Sequence, residues 1–220
     1  MTGRIFTADH HVYDLPPLLS WNVRHTGTVP CDSWSVTAVY QPEMLTVLRM
    51  AAGFAAIENG MTQLRGIVDE YTVELGSRGM TVTLSGRGYA ARLLDNESRP
   101  VTYEQVTLRE LIRCHAEPYG ISCGAAADLR STVPYTAGVG ISQWKVISEF
   151  CRTYGGFLPR FAKTGELLAT PEQDSGKRII LDSGSPVLNC RIREDHYGVL
   201  TEALERLARV VREKEPIVCK

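Results

Sequence analysis

Little in this sequence announces chemistry. Its six cysteines, Cys31, Cys114, Cys123, Cys151, Cys190 and Cys219, are scattered with no Cys-x-x-Cys pair, so the ligand spacing of a zinc site is missing. The opening residues 1–10 lack the apolar core of an export signal. That absence points to folding in a cytoplasm, with reduced thiols rather than a disulfide framework. No apolar run approaches the ~20 residues of a membrane-spanning helix. The five histidines, His10, His11, His25, His115 and His196, make neither His-x-x-x-His nor His-Glu-x-x-His, which excludes the familiar metallohydrolase pattern. No Gly-x-Ser-x-Gly elbow occurs for a serine nucleophile. A formal net charge of -1 removes any global electrostatic argument for nucleic acid or an anionic membrane. The expectation is a chain without metal, cofactor, membrane insertion or stable nucleic-acid binding.

What is present is organised. Of the 220 residues, 44% are hydrophobic and 22% charged, ordinary for a globular protein and enough for one large or two small cores. The first 85 residues read as mostly β. Arg4–Tyr13 is a strand candidate stopped by Asp14-Leu-Pro-Pro17, because proline removes ladder donors. Leu18–His25 follows, then Trp34–Tyr40, which alternates apolar and small polar residues as a half-buried strand should. Met44–Ala56 is readable as helix or strand, and strand is favoured because Gly53 and an Asn59-Gly60 turn flank it.

Residues 61–97 are the most informative stretch. Tyr71, Val73 and Leu75 alternate on one face, and Met80, Val82 and Leu84 alternate on the return. The expectation is a hairpin of Arg65–Leu75 with Met80–Ser85, turned by Gly76-Ser-Arg-Gly79. Gly86-Arg-Gly88 then leads into a short helical turn at Tyr89–Leu94. Thr107-Leu-Arg-Glu110 is a capping box, and Leu108, Leu111, Ile112 and His115 follow on one helical face. Pro118 and Gly120 end that helix. Ser122–Val139 reads as a loop with a short extended piece. Ser142 is an N-cap for a helix with Trp144, Ile147, Cys151 and Tyr154 on its apolar face, widened by Val146 and Phe150 and ended by Gly155-Gly156. Phe157–Ala162 and Glu166–Ala169 flank Lys163-Thr-Gly165 as a second hairpin. Lys177–Asp182 and Val187–Arg193 are further strands. The end is readable two ways, as a strand at Val199–Leu204 with a short helix or as a helix through Leu204, Leu207, Ala208 and Val211.

Each candidate site has a plainer reading. Gly138-Val-Gly140 precedes a helix as a phosphate loop would, but the Walker lysine is missing, and a hinge is expected. Arg87 is expected as a solvated arginine, with pairing to an acidic group or a neighbouring subunit as the alternative. His115 and Cys114 are adjacent on a helix and point about 100° apart, so a core histidine is expected rather than a thiol–imidazole pair. Asp69 and Glu70 adjoin in a strand and face opposite ways, which argues against a shared acid–base site. Trp21, Trp34 and Trp144 are core candidates, with Trp21, beside Pro16-Pro17 at an edge, open to an interface role. No residue is assigned as catalytic, cofactor-binding or metal-binding, and the interface residues are left unassigned.

Leu64–Tyr71, Leu84–Asp95, Val106–Ile112, Ser142–Arg152 with Gly155-Gly-Phe157, Thr164–Leu168 and Val187–Val199 stand out as an ordered series. Together they resemble the baseplate hub family of contractile tails: the phage late-control tail proteins, the hubs of prophage-derived tail particles and the N-terminal part of type VI secretion spike proteins. Leu84-Ser-Gly-Arg-Gly-Tyr-Ala-Ala-Arg-Leu-Leu-Asp95 carries most of the likeness. The resemblance spans residues 18–205, and family members run on beyond the position of Leu204.

The resemblance implies an α+β, β-rich chain with two small β-barrel-like domains, the second with two packed helices. Residues 1–100 would form the first barrel, completed by strands in 178–205. Residues 101–177 would form the smaller α+β unit, inserted into or following the first, and 205–220 a tail without assigned structure. It further implies a non-enzymatic homotrimer whose pseudo-sixfold ring joins a tail tube protein to a spike protein among other baseplate components, located in the virion tail after synthesis in a bacterial cytoplasm. The alternatives weighed are a tail-associated cell-wall hydrolase and a small ligand-binding module with Ser122–Val139 as its lid.

Overall fold

The computed structural model describes residues 1–26, 30–77, 79–174, 176 and 178. The expected strands at Lys177–Asp182 and Val187–Arg193, and both readings of the end, lie outside the described residues.

Two four-stranded antiparallel sheets make the first half. β1 (Thr2–Thr7), β2 (Val12–Asp14), β5 (Ala51–Glu58) and β6 (Met61–Ile67) form one, in the order β2-β1-β5-β6. β3 (Leu18–Arg24), β4 (Ser33–Val39), β7 (Glu70–Gly76) and β8 (Gly79–Arg87) form the other, in the order β3-β4-β8-β7. Alternation decides which side of each strand is dry: Trp34, Val36 and Ala38 of β4 and Val82 and Leu84 of β8 are buried between the sheets with Ile5, Phe54, Ala56 and Leu64. Trp34 and Phe54 stack across the core with centroids 3.8 Å apart and planes 13° from parallel.

The hairpin pairs Tyr71 with Leu84, Val73 with Val82 and Leu75 with Met80, the alternation expected from the sequence. Its first strand begins at Glu70, however. Arg65 belongs to β6, which pairs with β5 through the Asn59-Gly60 turn. Both turn residues are left-handed (φ 51° and 77°), as the twist of a two-residue hairpin demands.

Two further expectations are corrected here. Met44–Ala56 is not one strand: Met44–Arg49 is a helix, α1, and only Ala51 onward is β5. Met44 and Leu48, four residues apart, are its buried pair, a helical spacing that the flanking turn signals concealed. Arg4–Tyr13 is also divided, into β1 and β2. The turn between them is closed without glycine or proline by left-handed His10 (φ 67°) and by the Thr7 hydroxyl, which accepts from the His11 amide at 3.0 Å.

The second half is built on helices. α2 (Ala90–Leu94), α3 (Leu108–His115) and α4 (Gln143–Gly155) gather Leu93, Leu111, Ile112, Ile147, Phe150 and Cys151 into a separate apolar cluster. The capping box is formed: the Glu110 amide donates to the Thr107 hydroxyl at 3.3 Å and the Thr107 amide to Glu110 Oε2 at 2.8 Å. Ser142 caps α4, whose end is marked by left-handed Gly156. The expected loop at Ser122–Val139 contains two strands, β10 (Cys123–Ala126) and β11 (Tyr135–Ala137). β11 pairs with β9 (Val101–Tyr103), and β10 lies parallel to β13 (Leu167–Ala169). β13 closes the second hairpin with β12 (Arg160–Phe161).

Both halves lie in one compact unit, residues 1–173. Among the described residues no sheet closes into a barrel; the strands fall into sheets of four, four, three and two.

Candidate functional site

The two large sheets meet at a corner where β6 crosses the end of β8. Gly66 and Gly88 form an isolated antiparallel bridge there. A Cβ on Gly66 would lie 2.2 Å from the Arg87 carbonyl oxygen, and one on Gly86 would lie 2.0 Å from that of Ile67. Neither fits, because the opposing atoms are backbone. The Trp34 indole donates to the Ile67 carbonyl at 3.1 Å, which ties the core ring to the same corner.

Arg87, between these glycines, is not the solvated arginine expected. Its guanidinium binds both oxygens of Asp69 (2.9 and 3.0 Å) and both of Asp95 (3.1 and 2.8 Å). The two carboxylates raise its pKa, mainly through the Asp69 and then the Asp95 hydrogen bonds. With roughly two-fifths of the side chain exposed, the clamp is worth more as geometry than as energy. It holds the β6–β7 link against the C-terminal end of α2. Asp69 is committed to Arg87, and Glu70 accepts instead from Ser85 at 3.0 Å, so the two carboxylates do not converge.

A second junction joins the halves through Tyr89. Arg65 lies over the Tyr89 ring at 5.7 Å and over Phe6 at 5.0 Å, and Arg92 lies over Tyr89 at 4.6 Å. Gly165 (φ 86°) lets the second hairpin approach that ring, where a Cβ would come within 2.6 Å of it.

His115 is the core histidine expected, 5% exposed. Gln143 Nε2 donates to the Glu97 carbonyl at 3.0 Å, so its Oε1 must be the acceptor toward His115 Nδ1 at 2.6 Å. Neutral His115 therefore carries its proton on Nδ1 and accepts at Nε2 from the Tyr103 hydroxyl at 3.0 Å. Both nitrogens are used internally, and Cys114 is exposed. Gly138 and Gly140 meet nothing within 4 Å of an added Cβ, and the Gly140 amide donates to Glu97 at 2.8 Å, which ties the turn to its own chain.

A cleft of about 240 Å³ lies among Pro30, Asp32, Trp144, Pro159, Arg160 and Phe161. Within it Asp32 holds His25 Nδ1 at 2.8 Å and the Thr26 amide at 2.9 Å, and Arg160 donates to the Thr170 carbonyl at 2.8 Å. Among the described residues no group of three or more His, Cys, Asp or Glu side chains is placed to hold a metal ion.

The tryptophans divide. Trp34 is core, 3% exposed, and Trp144 is half-buried against Phe161. Trp21 is 50% exposed, with Leu19 beside it at 58%. Trp21 pairs with Val36 across β3–β4 and so points to the dry side of its sheet. That side runs out of cover at the β3 edge. Sequence reading placed Trp21 at an edge beside Pro16-Pro17, and β3 is an edge strand of its sheet among the described residues.

No family model and no curated protein matches the chain. Solved structures do. The 43 kDa tail protein of prophage MuSo2 from Shewanella oneidensis aligns with a TM-score of 0.61 at 15% identity, over 82% of this chain and 58% of that one. A tail protein from Neisseria meningitidis MC58 aligns with a TM-score of 0.55 at 14% identity, over 76% of this chain and 49% of that one. The chain thus spans about half the length of the tail proteins it matches. This chain, with its paired four-stranded sheets and attached helical half, has the fold of these phage tail proteins.

Proposed function

We propose that this chain is a structural component of a contractile phage tail or a related injection particle: a baseplate hub subunit that assembles as a homotrimer and joins the tail tube to the spike. One observation carries the reading. The shared fold extends through both the sheets and the helical half, over 82% of the chain for the Shewanella tail protein.

In this reading residues 1–100 are the first barrel-like domain, closed by strands within 178–205, and residues 101–177 are the smaller unit. The sheets are open among the described residues, which leaves room for such closure. The partners are further copies of the chain, a tail tube protein, a spike protein and other baseplate components, and the site of action is the virion tail. Obligate interfaces of that kind bury ~2,000 Å² or more.

The test is light scattering and negative-stain electron microscopy of the purified chain, alone and with tube and spike proteins from the same particle. Trimers forming rings that bind both proteins are expected. A monomer at high concentration that binds neither would overturn the proposal.

A further inference from the structure

The hydrogen bonds around His115 all run one way. Gln143 uses both amide hydrogens, one on the Glu97 carbonyl at 3.0 Å and one on the Tyr119 hydroxyl at 2.9 Å. An amide nitrogen only donates, so the Tyr119 oxygen must accept. Tyr103 donates to His115 Nε2 at 3.0 Å, and His115 Nδ1 donates to Gln143 Oε1 at 2.6 Å. The series therefore runs from Tyr103 through His115 and Gln143 to Tyr119. Its last proton, on the Tyr119 hydroxyl, meets no acceptor among the described residues. A hydroxyl that accepts on one side donates more strongly on the other.

Tyr119 and Gln143 line a pocket of about 580 Å³ together with Glu97, Arg99, Val101 and Pro118. Arg99 is exposed and makes no ion pair or hydrogen bond among the described residues. Glu97 is the opposing charge, and its Oε1 already accepts from the Gly140 amide at 2.8 Å. One guanidinium and one hydroxyl proton suit a singly charged acceptor. A phosphate dianion would be left half-balanced and would be repelled by Glu97. Val101 and Pro118 give the pocket an apolar wall for a short hydrocarbon stem. Val139, next to the amide that Glu97 fastens, is 80% exposed and offers a contact that a folded partner would cover.

We propose that this pocket binds a carboxylate, the side chain of a glutamate or aspartate presented by a partner protein, with Tyr119 and Arg99 as its donors. The site goes beyond the hub reading and stands without it, because carboxylate binding is measured on the chain alone.

The test is an NMR titration of the full chain, ring-labelled at tyrosine. The probes are an acetylated, amidated alanine peptide with one central glutamate, the same peptide with glutamine instead, and butyrate. The glutamate peptide is expected to shift the Tyr119 signal saturably, and the glutamine peptide to bind on the order of tenfold more weakly. In the variants, binding is followed on the peptide. Tyr119→Phe should weaken it about tenfold or more. Tyr103→Phe, which removes a proton already given to His115, should leave it within about twofold. The exposed charges should act with opposite signs: Arg99→Gln weakens binding and Glu97→Gln strengthens it, each roughly two- to fivefold. Equal losses in the two tyrosine variants would overturn the direction of the series and the site with it. Tighter binding of butyrate than of the glutamate peptide would overturn the partner side chain in favour of a small ligand. No saturable shift with either carboxylate would overturn the site and leave the hub reading untouched.

Discussion

The two halves of the molecule solve the same burial problem with different chemistry. Between the sheets the core is Ile5, Trp34, Val36, Phe54, Leu64, Val82, Leu84 and their neighbours, and ladders satisfy the backbone. Around α3 and α4 the buried residues include Ser98, His115, Ser131, Gln143 and Ser148. There the chain turns often and leaves backbone groups for side chains to satisfy. The Val106 amide donates to Ser131 at 2.9 Å, Tyr135 donates to the Val146 carbonyl at 2.7 Å, and Gln143 serves Glu97, Tyr119 and His115 together. Regular pairing allows an apolar core; irregular connection requires a polar one.

That contrast can be broken most sharply at the sheet corner. Gly86→Ala places a Cβ against the Ile67 carbonyl and the Trp34 ring, and a loss of ~4 kcal/mol or more is expected by denaturant unfolding. Gly138→Ala in the other half meets nothing within 4 Å and should change stability by no more than ~0.5 kcal/mol. Equal losses would show that the corner is not specially tight.

Gln143→Leu comes next. It keeps volume but leaves the Glu97 carbonyl and His115 Nδ1 unpaired in a buried setting, an expected cost of ~2–3 kcal/mol in the same assay. A neutral result would mean that the polar network only fills space.

The halves should also differ in alkali. Burial pushes the Cys151 thiol up to about 12, and burial, then Glu149, pushes the Tyr135 hydroxyl up to about 12. Between their unfolded values and the folded ones the unfolded chain has shed protons that the native chain keeps, so native stability falls as pH rises. The decline should begin near pH 9 and flatten in part in Cys151→Ala, relative to that variant's own neutral-pH stability. Iodoacetamide should modify exposed Cys114 well before Cys151, read by mass spectrometry of tryptic peptides.

The smallest effect is at a helix start. Thr107→Ala removes one half of the capping box and should cost ~1 kcal/mol.

How far the sequence could be read follows the same division. Local devices were legible: the Thr107–Glu110 box, the Ser142 cap, the Asn59-Gly60 turn and the alternation of Tyr71 through Leu84 are each written within a few residues. Features made by distant residues were not. Arg87 sits eighteen residues from Asp69 and eight from Asp95, and no spacing rule marks that clamp. The glycines at 66, 86 and 88 are required by a crossing that exists only once two sheets meet. α1 was missed because turn signals outweighed a single buried i, i+4 pair. Of β10 and β11 only one short extended piece was expected, because strands of four and three residues are too short to carry an alternating pattern. The β3 edge was legible from Pro16-Pro17, but the β7 edge belongs to strand order, which composition and periodicity do not encode.

The junction at Tyr89 has a consequence for the conditions the protein tolerates. Exposed pairs such as Arg4–Asp14 weaken as ionic strength rises. A guanidinium seated on a ring also draws on dispersion and apolar contact, which salt leaves in place. With Phe6, Arg65, Tyr89 and Arg92 in contact, the link between the sheets and the helices should outlast the surface ion pairs in brine.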